Sequence, residues 1–325
     1  MPFKKLEEIR EGTRIYVFGE TGSGKTPFLL SFPNTALVDP DLSSVHYDKK
    51  NVLVKTDAVA IKDIIKDLED YEAFNPDEFS KILNIGLDSM TRIYENLQHA
   101  SLKVAEQRAR ANGRMVDGEG LASRDWGIIK LNHDKLISKL TYYAKLGINI
   151  IVIAEGKDKT ENVKKDDGTY VMVKTGTTFN DTKAVEFDYD IVLEFFKDGK
   201  GSNYAIVHKD RTLSFNPNDR IEMANYSHFQ VAIERAQQGR QRTKEEIVHD
   251  LNKDIDKEVE LINESENEIK KINEMIVKIK ALANEKVKKD KVPVAKVLEI
   301  TGERELNYST IEAAEAIYKK LLELK

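Results

Sequence analysis

The run Gly19-Glu20-Thr21-Gly22-Ser23-Gly24-Lys25-Thr26 has the spacing G-x-x-x-x-G-K-T, and its residue types suit phosphate chemistry. Gly19, Gly22 and Gly24 let the backbone turn tightly and aim its N–H groups at phosphate oxygens. Glu20, Thr21 and Ser23 complete that backbone cradle. Lys25 supplies a cation for β- and γ-phosphates, and the Thr26 hydroxyl a ligand for Mg²⁺. A chance glycine-rich turn is the plain alternative. A second carboxylate is required on the metal, and "KILNIGLDSMT" offers Asp88 at the end of an apolar run. Asp88 would hold the ion directly or through water; its plain alternative is an N-cap of the next helix. Ser89 and Thr91 read as caps or supporting hydroxyls. ATP and Mg²⁺ are therefore the expected cofactors.

Such residues must sit at the ends of buried strands. "RIYVF" before the loop reads as a buried strand, and "TPFLLSF" after it starts a helix with Pro27 in the first turn, where a missing N–H costs nothing. Ile82, Leu83, Ile85 and Leu87 make the strand that ends at Asp88. Thr35–Asp41 and Ile148–Glu155 read as two more strands, the latter behind an amphipathic helix. Residues 190–196 and 203–208 read as an antiparallel hairpin around "KDGKGS". Strands alternating with helices predict an α/β fold with a mostly parallel sheet, right-handed crossovers and the hairpin on one edge.

Composition narrows the class. In 325 residues, 40% are hydrophobic, cysteine is absent and the net charge is −5. No thiolate chemistry or disulfide framework is available. No apolar run approaches a membrane span, and the N-terminus lacks a secretory apolar core; a cytoplasmic protein without a membrane partner is expected. An arginine-rich lid of small-molecule kinases is missing. The N-K-x-D base reader of GTPases fails at "NKDI", and Ser89 follows Asp88 where an acidic pair would be needed.

The order of "VFGETGSGKT", "FPNTALVDPD", "LNIGLDSMT", "WGIIKLNHDKLISKL…NIIVIAEGKDK" and "FDYDIVLEF…VHKDRT" resembles the RecA-like ATPases, specifically phage ATP-binding proteins of the Sak type. The resemblance covers about residues 10–215. It implies a RecA-like P-loop fold and a DNA-recombination ATPase, acting as a homo-oligomeric ring or filament in a phage-infected or prophage-bearing bacterium. At the end of the second strand it implies Asp41 as the carboxylate that positions water, with Asp39 behind it. Glu155 stands where a γ-phosphate sensor is usual, as base or switch. Lys209 and Arg211 would reach a neighbouring subunit's ATP and neutralise the transferring phosphoryl group. The two polar insertions after the third and fourth core strands would be DNA-binding loops. The first carries Lys103, Arg108, Arg110, Arg114 and Arg124; the second carries Lys157, Lys159, Lys164, Lys165, Lys174 and Lys183. Tyr170 and Phe179 would stack on bases. Plain alternatives are ordinary surface loops and a solvated hairpin end.

Composition changes near Gln237. From Lys244 to Lys291 the chain has neither glycine nor proline, and Ile262, Ile269, Ile276 and Ala283 step by seven with Ile272 and Ile279 between. This predicts a long helix or helical hairpin, mainly acidic then mainly basic, followed by two short helices, the second capped by Ser309 or Thr310. The expected division is a 1–240 ATPase core and a 241–325 helical, coiled-coil-like region for oligomerisation or partner docking. The function expected is a Mg²⁺-ATP-hydrolysing recombination protein that binds single-stranded DNA and promotes annealing or strand exchange. A single-strand-binding protein or another recombination protein would be its partner. Two alternatives stay open: a DNA translocase or helicase-loading motor, and a non-hydrolysing nucleotide-dependent scaffold.

Overall fold

The computed structural model describes residues 8–113, 120–164, 170–181, 185–302 and 310–324. They divide into two units, Met1–Ile247 and Val248–Lys325. In the first, an eight-stranded sheet is built on β1 (Arg14–Gly19), whose "IYVF" is buried on both faces. Such a run suits a central parallel strand covered by helices. Beside β1 lie β5 (Asn149–Ile153) and β8 (Ile191–Lys197), both parallel to it. Beyond β5 follow β4 (Asn84–Asp88), β2 (Thr35–Val38) and β3 (Val52–Thr56), also parallel. Beyond β8, β9 (Asn203–Asp210) and β10 (Arg220–Glu222) run antiparallel and form one edge. The mostly parallel sheet and its edge hairpin agree with the α/β fold expected; β3 and β10 were not expected.

Register does the positioning. Gly19 pairs with Phe195, Leu87 with Val38, and Asp88 with Ile153. The C-terminal ends of β1, β4, β2 and β5 therefore align along one edge, the place where open α/β sheets bind ligands. Helix α1 (Lys25–Leu30) follows the loop and buries Phe28 and Leu29 against Ile15, Val17, Leu193 and Phe195. Phe28 meets Phe32, Phe195 and Phe229 edge-on at 5.2, 5.3 and 6.0 Å. Phe229 and Ile233, at the start and middle of α7 (Gln230–Ala236), extend the same core. Burial of each such ring is worth about 2–3 kcal/mol, so the loop's trailing helix is firmly fixed.

Helices α2 (Ile61–Phe74), α3 (Pro76–Phe79), α4 (Met90–Ala111) and α5 (Ser123–Lys145) complete the crossovers. The first insertion is thus mainly helix rather than loop: α4 continues through Arg108 and Arg110, where leucine, alanine, glutamate and glutamine favour helix. The second insertion is a two-stranded antiparallel ribbon, β6 (Gly156–Lys164) with β7 (Tyr170–Phe179). A short helix, α6 (Val185–Asp188), precedes β8. Phe179 does not offer a stacking surface. It is 9% exposed and packs edge-on against Tyr16 and Phe18 at 5.5 and 5.7 Å.

Helix α8 (Lys244–Lys288) is one 45-residue element. Its C-terminal part packs Ile279 with Val292, with Val297 of α9 (Val294–Thr301) and with Ala314 and Leu321 of α10 (Ile311–Glu323). The Thr310 hydroxyl caps α10 by accepting from the Ala313 N–H at 3.3 Å. Ser309 lies outside the described residues. No helix among the described residues is long and apolar enough to cross a membrane.

Candidate nucleotide site

Gly19 ends β1 at φ 142°, and a Cβ there would stand 1.9 Å from the Phe195 carbonyl oxygen. Only glycine lets the chain leave β1 this close to β8. Gly22 and Gly24 are also left-handed, at φ 72° and 100°. Within this loop Lys25 Nζ donates to the carbonyls of Gly19 at 2.8 Å and Glu20 at 2.6 Å. Burial lowers its pKa, and the nearby charges of Asp88, Glu155 and Glu20 pull it back up. Thr26 Oγ1 donates to Asp88 Oδ2 at 2.6 Å. The hydroxyl and carboxylate expected to share a metal are thus in direct contact across two elements. These oxygen donors fit a hard cation such as Mg²⁺. Asp88 is 5% exposed, and burial raises its pKa against the hydrogen bonds of Thr26 and Ser43.

Ser43 escaped the sequence reading. Its Oγ lies 2.9 Å from Asp88 Oδ2 and 3.0 Å from Asp39 Oδ1, bridging the two carboxylates. Asp39 is fully buried and receives Lys55 Nζ at 2.7 Å and the Ser44 N–H and hydroxyl at 3.2 and 2.6 Å. Burial raises its pKa, but Lys55 and the serines outweigh it, and the carboxyl ends below its ordinary value. Asp39 is therefore occupied in holding the loop after β2. Asp41 is more open. It accepts from Ser89 Oγ at 3.1 Å and faces Arg92 Nε at 3.6 Å. Ser89 also caps α4 by accepting from the Arg92 N–H.

Glu155 follows β5 and is exposed. Its N–H donates to Thr91 Oγ1 at 2.9 Å, and its carbonyl accepts from the Asn180 N–H at 2.9 Å. Its charge acts on Lys25. The structure thus brings the 19–26 loop, Asp88, Asp41 and Glu155 to one edge. It places Lys209 and Arg211 elsewhere. Lys209 pairs with Val192, and the Arg211 N–H bonds Asp190, at the other end of β8. There Lys209 Nζ donates to the Tyr189 carbonyl at 2.6 Å, and Arg211 Nη1 faces Asp190 Oδ1 at 3.4 Å. Burial and then Arg211 lower the pKa of Lys209.

Of the expected DNA contacts, Arg108 is ion-paired with the buried Asp125, tying α4 to α5, and Arg110 faces Glu106 at 4.0 Å. Lys157 and Lys159 lie on β6, two residues apart and so on one face of the ribbon. Arg114, Lys165 and Lys183, and the side chains of Lys164, Tyr170 and Lys174, lie outside the described residues. Two further side chains missed from sequence, Lys197 and Asn203, reach the loop at Gly22 and Gly24 from the β8–β9 hairpin. The hairpin was legible, but its closeness to the loop depends on β8 lying beside β1.

No curated protein matches the chain significantly. A family model described as AAA domain matches residues 11–223, a span that contains the whole loop and sheet edge described above. The chain belongs to that AAA-domain family of P-loop, nucleotide-dependent ATPases.

Proposed function

We propose that this protein is a Mg²⁺-ATP-hydrolysing recombination ATPase of the RecA-like, phage Sak type, which binds single-stranded DNA and promotes annealing or strand exchange as a homo-oligomer. The observation that carries the nucleotide part is the 2.6 Å contact of Thr26 with Asp88 beside Lys25. Lys25 would exchange the Gly19 and Glu20 carbonyls for β- and γ-phosphate oxygens. Thr26 and Asp88 would hold Mg²⁺, which supplies charge neutralisation on the phosphates. Glu155, whose charge raises the pKa of Lys25, would orient water or hold a proton. Asp41 would serve beside it. Lys209 and Arg211, remote from this chain's own loop, would act on the site of another copy.

The DNA part rests on the ribbon. A Cβ at Gly156, the first residue of β6, would stand 2.9 Å from Gly19 Cα. The Asn180 N–H, just past β7, closes on the Glu155 carbonyl. The ribbon is therefore rooted on the loop and on the candidate base, so phosphate binding and a strand lying on Lys157 and Lys159 would bias each other. Backbone phosphates are the ligand expected of such cations, without base readout. Fluorescence anisotropy with labelled single strands tests this. Lys157→Glu with Lys159→Glu should weaken binding by roughly tenfold and flatten its salt dependence. Unchanged affinity and slope would exclude the ribbon. The ties of Asp41 to Ser89 and Arg92 favour one second reading, a non-hydrolysing nucleotide-dependent scaffold; it requires ATP binding without turnover.

A further inference from the structure

The proline that the first helical turn tolerates still leaves the phosphate loop one backbone N–H short. Thr26 is followed by Pro27, which has no N–H to offer a phosphate oxygen. At Gly22 and Gly24 of the same loop lies the mouth of the β8–β9 hairpin. Lys197 and Asn203 face each other there as a cross-strand pair. A Cβ on Gly22 would stand 3.1 Å from Lys197 Nζ, and one on Gly24 would stand 3.1 Å from Asn203 Nδ2. Any side chain at either glycine would thus press on this pair.

Both side chains lack partners that would explain their placement. Lys197 forms no ion pair among the described residues, although it ends a strand whose Glu194 is paired with His208 at 2.8 Å. Asn203 Oδ1 is shielded from solvent and has no hydrogen-bond partner. An orphaned buried amide oxygen is costly, and such an atom in a native fold calls for a water, an ion or a ligand. The hairpin is also rigid at this point. Asp198 Oδ1 accepts from the Lys200 and Ser202 N–H groups at 2.9 and 2.8 Å, and the Asp198 N–H bonds the Ser202 carbonyl at 3.0 Å. The backbone that carries Lys197 and Asn203 is thus fixed by the turn.

We infer that Lys197 and Asn203 are nucleotide-binding residues: Lys197 a second cation for the phosphate chain, and Asn203 an amide that makes up for the donor lost at Pro27. A carboxamide can present either its N–H or its oxygen, so Asn203 also finds a partner for the oxygen in the bound nucleotide or its hydration. This rests on the phosphate-loop reading above and extends it to the far edge of the sheet. The hairpin then becomes the element that reports nucleotide occupancy to β9 and β10.

The test is titration calorimetry with Mg²⁺ and a non-hydrolysable ATP analogue, on the full chain, at two salt concentrations. Lys197→Ala should weaken binding by about tenfold, the scale of one charge-assisted hydrogen bond, and reduce its salt dependence. Asn203→Asp should lose more affinity than Asn203→Ala, because a carboxylate is then set against phosphate. The melting temperature of the ligand-free Lys197→Ala protein should match the wild type, since the side chain is exposed. Wild-type affinity and salt dependence in Lys197→Ala and Asn203→Asp, with binding lost in Lys25→Ala, would overturn the inference and leave the phosphate loop standing. Binding that survives in Lys25→Ala would instead overturn the phosphate-loop reading, and this inference with it. Should the Asn203 variants not fold, Lys197→Ala alone decides.

Discussion

Asp88 shows how one carboxylate serves two opposed demands. Burial raises its pKa, with Thr26 and Ser43 working against that, yet metal binding needs the ionised form. Its folded-state value exceeds the unfolded one, so ionisation costs stability above that value, and the cost fades as pH falls. Asp88→Asn should therefore melt no lower than the wild type at pH 8, with any advantage shrinking towards acid pH. Its nucleotide binding should no longer respond to Mg²⁺. A lower melting temperature at pH 8 would contradict this balance. Asp39 is the converse case, a fully buried carboxylate whose partner Lys55 lies on the next strand. Lys55→Met keeps the aliphatic stem and strands the charge. It should cost about 3 kcal/mol in urea unfolding, part of it recovered by adding Asp39→Asn. A loss below about 1 kcal/mol would mean that Ser43 and Ser44 suffice. At this scale the 19–26 loop and Asp88 were legible because their chemistry is written in contiguous residues. Ser43 and Lys55 were not, since their roles depend on where the post-β2 loop and β3 come to rest.

Among elements, β1 and its exit carry the tightest constraint. Gly19→Ala would drive a methyl group into the Phe195 carbonyl at a positive φ. It should destabilise the first unit by about 2 kcal/mol or more and cut nucleotide affinity even where the protein still folds. Wild-type thermal stability in Gly19→Ala would mean that β1 and β8 can part without cost. Strands with apolar runs (Tyr16–Phe18, Ile85–Leu87, Ile150–Ile153) were readable because burial on both faces leaves a nearly continuous apolar stretch in the sequence. The β6–β7 ribbon was not. Its first strand, GKDKTENVK, is almost wholly polar, and it looks like a loop until its pairing with the more apolar YVMVKTGTTF is seen. Phe179 was misread for the same reason: its burial depends on Tyr16 and Phe18, some 160 residues earlier in the chain.

At the scale of the whole chain, the division into two compact units falls within α8, after Ile247. Ile247 is fully buried, and the second unit has its own small core around Ile279, Val297 and Leu321. Residues 1–247 should therefore fold alone and keep nucleotide binding within about twofold, since separate cores contribute nearly independently. Light scattering should show a smaller assembly if the helical unit drives oligomerisation. Aggregation or loss of nucleotide binding in this fragment would show that the units depend on each other. The helical tail was legible from its lack of glycine and proline and its seven-residue step. Its packing was not, because the same stripe serves equally for a coiled coil with another chain or for α9 and α10 folding back. Val259, Ile262 and Ile269 remain exposed along α8.

The most direct measurement is steady-state ATP turnover by the full chain, with and without single-stranded DNA, over a range of protein concentrations. Turnover that requires Mg²⁺, rises with DNA, steepens with protein concentration and falls by roughly 100-fold or more in Lys25→Ala is expected. Tight nucleotide binding without turnover under any of these conditions would rule out the hydrolysing recombination ATPase and leave the nucleotide-dependent scaffold.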